Sequence, residues 1–346
     1  MSCFAQYRQS YAQSYVRIEQ TEGEPLRLQS CQSLNGKTGF VVAPFMVSDE
    51  QPILLIRPDH VQTLPVEQPV YKAPKIVSEE AHRDDYTIDF LNFHAQLQAD
   101  VFRKIVLARC ATINTSEDVN PHDLFLAACQ LYPRLFIALV SMPDGTFWLT
   151  ATPEILLEGV GAAWRTIALA GTMQLEGDEL QGEGETQRWS TKNIQEQRYV
   201  ATYIAECLER FSLDFREEGP RTVRAANLVH LRSDFTFTLS DASHVGNLLE
   251  QLHPTPAVCG LPKHEAFQFI AQNERMPRQY YSGFMGPLLW DNETHLYVSL
   301  RCMHIRHSEC CLYAGGGLLK DSQLQQEWQE TEAKMQTMRT LLTLNP

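Results

Sequence analysis

Residues 301–334 restrict the fold of this chain more than any other stretch. A β-like run closes in three consecutive glycines, Gly315, Gly316 and Gly317, and a short polar turn leads into a helix-forming segment that carries Glu327, Glu330 and Lys334. Positions three and four apart are neighbours on a helix, so these three side chains share one strip. Leu324, Trp328, Met335, Met338 and Leu342 form the apolar stripe beside it. The strip therefore lies at the edge of a buried face, where a cleft can reach it. Two carboxylates and an ammonium in that place point to a divalent cation with an anionic ligand. An isolated ExxE is equally a routine solvated helix flank, so the rest of the chain must decide.

The formal charge of −13 argues against nucleic acid or an anionic membrane as the main partner. It leaves open a small anionic substrate bound at a locally basic site. The first twenty residues lack the apolar h-region of a signal peptide, and no stretch approaches the ~18 apolar residues of a membrane helix. The nine cysteines are scattered, with no CxxC and no Cys/His zinc spacing. Reduced, buried thiols in a cytoplasmic protein are the expectation.

Residues 1–78 alternate short apolar runs with turn residues and read as strands completing a sheet. Tyr86, Phe90, Phe93 and Leu97 predict an amphipathic helix over 79–99. Residues 101–113 have the composition of a buried strand, in which Phe102, Lys104, Val106 and Ala108 share a face. Lys104 thus projects among apolar neighbours. Burial without a partner favours the neutral amine, which can act as a general base; the alternative is an edge lysine that snorkels to water. A helix is expected over 121–132, then two strand-like runs joined by Pro143-Asp144-Gly145. Glu154, beside the Pro153 break and between two apolar runs, is placed to be desolvated and to donate a proton, though an ordinary loop glutamate would read the same way. Gly171 and Thr172 end another apolar run and can present N–H groups and a hydroxyl to an anion.

Residues 174–186 are acidic and glycine-rich and read as a mobile loop. A helix over 188–211 should bury Ile194, Ala201, Ile204, Leu208 and Phe211, leaving Glu196 at the edge of that stripe. Strands are expected over 221–239, a short helix over 264–272, and a hairpin around Asp291-Asn292 whose second strand Arg301 closes. There is no internal repeat and no low-complexity linker, so residues 1–346 are taken as one domain.

Ten segments then occur in one order: FRKIVLAR, ATPEILLEG, LAGT, KNIQEQ, HLRSDF, QLHPTPAVCGLP, YYSGFMGP, SLRCMHI, YAGGGLL and EWQETEAK. Together they resemble the chorismate-utilising enzymes, which comprise isochorismate, salicylate, anthranilate and aminodeoxychorismate synthases. The resemblance covers roughly residues 85–345 and is weak over the first eighty. It implies an α+β fold: a single domain of two packed antiparallel sheets flanked by helices, with the active site in a cleft between them.

The resemblance also implies roles. Glu196, Glu327 and Glu330 match acidic residues around Mg²⁺, which ties down the substrate's ring carboxylate; hard oxygen ligands suit that ion. Asn193 stands where relatives often carry an acid. Arg301, Lys334 and the backbone of Gly315–Gly317 match the site for the enolpyruvyl carboxylate, with Tyr281 as a further hydrogen-bonding group. Gly171 and Thr172 match the loop beside the ring hydroxyl, and His230 a histidine lining the site. Lys104 matches the base of the members that add water, whereas the ammonia-using members lack it. The implied reaction is attack of water on C2 of chorismate, with Lys104 as base and Glu154 as acid at the C4 hydroxyl. Salicylate synthases share the lysine but carry threonine where this chain has Cys259, which favours a reaction that stops at isochorismate. The implied partner is chorismate alone, in a monomer or homodimer without an amidotransferase subunit. Menaquinone supply is expected ahead of a siderophore pathway. The competing readings are a salicylate synthase and an inactive binding subunit.

Overall fold

The computed structural model describes residues 3–68, 73–175, 188–211, 214–225, 228–239 and 241–343. The acidic loop expected over 174–186 lies, from residue 176 on, outside the described residues.

The strands pair antiparallel throughout and form two sheets. The first runs in the order Gly260–Leu261, Lys104–Thr115, Glu309–Leu318, Cys302–Arg306, Phe147–Thr152, Phe136–Ser141, Cys3–Arg8, Ser14–Gln20 and His60–Pro65, with Ile76–Glu80 also paired to Lys104–Thr115. The second runs Phe215–Ala225, Leu228–Thr238, Ala163–Gln174, Ile155–Val160, Glu293–Val298, Phe284–Leu288, Gly39–Ala43, Ile53–Ile56 and Leu26–Leu28. Side chains alternate across each sheet, so each has an inner and an outer apolar face. The inner faces meet in a core that joins Tyr7, Val140 and Trp148 of the first sheet to Phe40, Ile167 and Tyr297 of the second. The outer faces are covered by helices: Pro121–Leu131 and Leu324–Thr343 over the first sheet, Thr191–Leu208 and Val245–Leu252 over the second.

Local chemistry sets the helix ends. Pro121 sits at the first turn behind Asn120, whose side chain accepts from the His122 amide. Ser190 caps Thr191–Leu208 by accepting from Asn193 N. The first helix begins only at Arg83, because His82 takes a left-handed conformation (φ +51°); residues 76–80 are a strand and not the start of that helix. The helix Val245–Leu252 was not foreseen. Ile194, expected inside, is 52% exposed. The first inward position of that helix belongs to Gln197, whose Nε2 donates to the Ala168 carbonyl at 3.0 Å. The run LYVSLRCMHI is not one strand: Glu293–Val298 belongs to the second sheet and Cys302–Arg306 to the first.

The N-terminal strands contribute to both sheets. All nine cysteines are free thiols. Among the described residues no helix is long and apolar enough to cross a membrane.

Candidate active site

Two of the segments that carry the chain between the sheets run side by side. Thr152–Ile155 leaves the first sheet for the second; Val298–Cys302 returns. The amide of Val298 donates to Glu154 O (2.9 Å), Ala151 N to Arg301 O (3.2 Å), and Thr150 Oγ1 to Leu300 O (2.8 Å). These bonds lock the two crossings together and aim Glu154 and Arg301 into the gap between the sheets. Arg301 is held at φ +46°, a conformation costly to a non-glycine residue.

A bulge in the second sheet supplies the next group. Ala170 faces Leu231 and Thr172 faces His230, which leaves Gly171 (φ +71°) as the extra residue. Its carbonyl turns to His230 Nδ1 at 3.0 Å, and Thr172 Oγ1 lies 3.4 Å from the same nitrogen. Arg301 Nη2 lies 2.6 Å from His230 Nε2, and Nη1 donates to Ala225 O at 3.1 Å. A guanidinium only donates and a carbonyl only accepts. His230 therefore carries its proton on Nδ1 and accepts from Arg301 on Nε2. Burial, with the positive Arg301 and Lys334 nearby, holds its pKa well below the usual histidine range and keeps the ring neutral. Burial also lowers the Arg301 guanidinium to about 10.

The triple glycine forms the floor. Gly315, Gly316 and Gly317 pair with Ala108, Leu107 and Val106. A Cβ on Gly317 would lie 2.1 Å from Glu196 Oε1 and 2.8 Å from Lys104 Cε, so only glycine leaves room for that pair. Lys104 has no exposed surface. It is an interior residue of its sheet, not an edge lysine, and it is not unpartnered: its Nζ stands 3.0 Å from Glu196 Oε1, off the hydrogen-bond axis. Burial opposes ionisation of Glu196, but Lys104, Lys192 and Lys334 outweigh it and hold the carboxyl below its ordinary value.

The C-terminal helix is anchored over this floor by Arg109. Its Nε donates to Thr331 Oγ1 at 2.8 Å and its guanidinium lies 3.7 Å from the Trp328 ring centroid, a contact worth about 1–2 kcal/mol when desolvated. Glu327, Glu330 and Lys334 are thereby brought onto the glycine strand. Lys334 Nζ donates to Gly315 O (2.8 Å) and to Glu330 Oε1 (2.7 Å). Glu327 is 1% exposed. Its Oε1 is paired with Lys192, and its Oε2, without a hydrogen-bond partner, lies 3.3 Å from where a Gly316 Cβ would be. Burial and then Glu330 push the Glu327 carboxyl above its usual value. Glu154, 3% exposed, is pushed up to about 8 by burial against the pull of Lys104, Lys334 and Arg301. It is a protonated acid at neutral pH.

Glu154, Glu196, His230, Tyr281, Arg301 and Lys334 line one cavity, together with Gly171, Thr172, Gly315 and Gly317. It encloses about 70 Å³ open to water, several times the ~10–15 Å³ that one water needs. The Tyr281 ring packs on Tyr313 at 5.7 Å. Lys104, Gly316, Glu327 and Glu330 stand behind the cavity wall.

Cys259 does not line the cavity. Its Sγ faces Lys263 O at 3.8 Å and packs in the cluster around Phe90 and Phe93. Thr255 closes a turn, its carbonyl accepting from the amides of Val258 and Cys259 at 3.0 Å each, and it is Ala257 and Val258 of that turn that border the cavity. Lys192 was missed as a site residue. It lies one helical turn before Glu196, and that spacing was the available signal.

Glu196, Glu327 and Glu330 each pair with a lysine, and among the described residues no three His, Cys, Asp or Glu side chains are gathered closely enough to chelate a metal as they stand. The donor set is nevertheless hard oxygen, Glu327 Oε2 is a buried acceptor without a donor, and burial together with the neighbouring Glu330 opposes ionisation of Glu327. These features fit a hard divalent cation that displaces Lys192 and Lys334 from the two carboxylates.

A family model described as chorismate binding enzyme matches residues 49–343. Isochorismate synthase MenF of Escherichia coli (strain K12) is 33% identical over 243 residues, which is 70% of this chain and 56% of that protein. The chain thus spans little more than half the length of this curated relative. Two solved structures share the fold. A putative 2,3-dihydroxybenzoate-specific isochorismate synthase, DhbC, from Bacillus anthracis superimposes with a TM-score of 0.84 at 22% identity, over 99% of this chain and 97% of that one. MenF, the menaquinone-specific isochorismate synthase from Escherichia coli, gives a TM-score of 0.84 at 24% identity, over 99% and 89%. The two packed antiparallel sheets with flanking helices are the architecture expected from the sequence.

Proposed function

The chain belongs to the family of chorismate-binding enzymes, and on that premise we propose that it is an isochorismate synthase, adding water at C2 of chorismate and releasing the C4 hydroxyl. One observation supports this reading above the others. A lysine buried directly behind the wall, 3.0 Å from the cavity-lining Glu196, is combined with a cavity-lining carboxyl, Glu154, that is protonated at neutral pH. Addition of water needs a base, and departure of hydroxide needs an acid.

In this reading Lys104, after its own proton is lost to solvent, takes the proton of the attacking water, and Glu196, 3.0 Å away, receives the re-formed ammonium into the ion pair seen at rest. Glu154 gives its proton to the leaving hydroxyl. Arg301, oriented by neutral His230, and Lys334 hold the enolpyruvyl carboxylate beside the Gly315–Gly317 backbone. Glu196, Glu327 and Glu330 would hold Mg²⁺, which when bound neutralises the ring carboxylate and stabilises charge as the double bonds shift. We assign the product to menaquinone supply, following the likeness to MenF. The protein acts on chorismate as a single-domain monomer, in the cytoplasm, without an amidotransferase subunit.

The test is incubation of the purified protein with chorismate and Mg²⁺ and chromatography of the products. Isochorismate alone is expected. Salicylate with pyruvate would make the protein a lyase, and Cys259 offers no contrary signal from inside the cavity. No turnover would leave only the binding-subunit reading. A second expectation concerns the metal. Glu327→Gln should weaken Mn²⁺ or Mg²⁺ binding about tenfold, as followed by calorimetry or Mn²⁺ spin resonance. An unchanged titration removes Glu327 from the ligand set.

A further inference from the structure

The strand that carries Lys104 is incompletely bordered. On one side Glu309–Leu318 pairs with it from Ile105 to Asn114. On the other, Gly260–Leu261 covers only Lys104 and Ile105, and Ile76–Glu80 takes over only at Thr112. Between them, Val106 N finds the carbonyl of Cys259 at 2.7 Å. The next two polar groups of that edge are met by side chains. Arg278 Nη2 donates to Val106 O at 2.8 Å, and Ala108 N donates to Glu274 Oε1 at 2.8 Å.

Arg278 and Glu274 are themselves a two-pronged pair: Nε to Oε2 at 2.6 Å and Nη2 to Oε1 at 2.8 Å, with both side chains 3% exposed. The fourth arm reaches the cavity wall, since Arg278 Nη1 donates to Val258 O at 2.7 Å. The backbone of Arg278 joins in, its carbonyl accepting from Tyr281 N at 2.9 Å. Val106, Val258 and Tyr281 all line the cavity, and Lys104 lies two residues from Val106 on the same face of its strand. A buried ion pair contributes little net stability compared with an apolar pair of the same size. What this one provides is a fixed acceptor and a fixed donor fork at the spacing of a missing strand.

We infer that Glu274 and Arg278 act as a substitute strand, setting the position of Lys104 and of the Val258 and Tyr281 walls relative to the substrate. They are positioning residues for the proposed reaction, so the kinetic part of this inference rests on that reading. Lysine cannot reproduce the fork, because it presents a point charge where arginine presents a planar set of donors. Misplacement of a reacting group by about 1 Å costs about 100-fold in rate.

The experiment compares Arg278→Lys, Glu274→Gln and, as a control, Arg275→Ala. Arg275 forms the adjacent ion pair with buried Asp89 but makes no bond to the Lys104 strand. Two readouts are used: kcat and KM for chorismate, and hydrogen exchange of the peptides spanning 102–110. Both test variants should remain folded, lose at least about tenfold in kcat and speed exchange at the Val106–Ala108 amides. Arg275→Ala should lower the melting temperature and leave kcat and that exchange unchanged. The exchange readout does not need turnover, so it stands if the wild-type protein proves inactive on chorismate. Unchanged exchange in Arg278→Lys and Glu274→Gln, or an equal loss of kcat in Arg275→Ala, overturns the inference.

Discussion

Replacement of Lys104 by alanine should reduce turnover of chorismate with water by about 10²–10⁴-fold, the contribution of a positioned general base, while chorismate still binds. Lys104 has no exposed surface and lies behind Gly317 and Glu196. Arg301 and Lys334, proposed to bind the carboxylate, are held by partners that do not include it. The variant carries a second consequence. Glu196 would lose its closest ammonium, and breaking a buried pair costs about 3–5 kcal/mol. Folding must therefore be checked by circular dichroism before kinetics are read. Calorimetric binding of chorismate within a fewfold of wild type, with kcat collapsed, is the expected pattern. Near-normal turnover in a folded variant would show that water needs no proton acceptor at this position.

Glu154→Gln should fall by about 10²–10³-fold and should change the shape of the pH profile. In the wild type the acid works only while protonated. With its pKa pushed up to about 8, activity should decline as pH rises through that value. Glutamine has no such proton, so the residual activity of the variant should lack this limb. The same shift predicts a stability effect of definite sign. The folded state holds the Glu154 proton where the unfolded chain has released it, so wild-type stability falls with rising pH from the ordinary glutamate range up to about 8 and then levels. Denaturant unfolding at pH 6 and pH 9 should show the wild type losing stability relative to Glu154→Gln. Parallel pH dependences of the two proteins would mean that Glu154 is ionised in the fold.

The helices with clear apolar stripes were legible, as were the turns at Pro143-Asp144-Gly145 and Asp291-Asn292, because each is set by residues near in sequence. What escaped depends on partners distant in sequence. The break between Val298 and Cys302 carries no glycine or proline, and an apolar run does not reveal that its two halves serve different sheets. Ile194 has helical spacing, yet it lies in the first turn of its helix, and the first inward place falls one turn later, on Gln197. Cys259 and Val258 are equally apolar in sequence, and only the turn at Thr255 decides which one meets the cavity. The site itself was legible as a set of residue types through the ten ordered segments. That Glu196 holds Lys104, and that Lys192 holds Glu327, required the fold.

The paired crossings at Thr152–Ile155 and Val298–Cys302 bear on how activity arises during synthesis. Glu154 and Arg301 acquire their places only when both sheets exist and have docked. Lys334 arrives later still, on the helix Leu324–Thr343, which follows both crossings in the chain. No fragment that stops short of Lys334, and neither sheet alone, contains the proposed acid, base and carboxylate clamp together. In the proposed reaction a nascent or half-unfolded chain should therefore be catalytically silent, and turnover of chorismate should report completed assembly of both sheets.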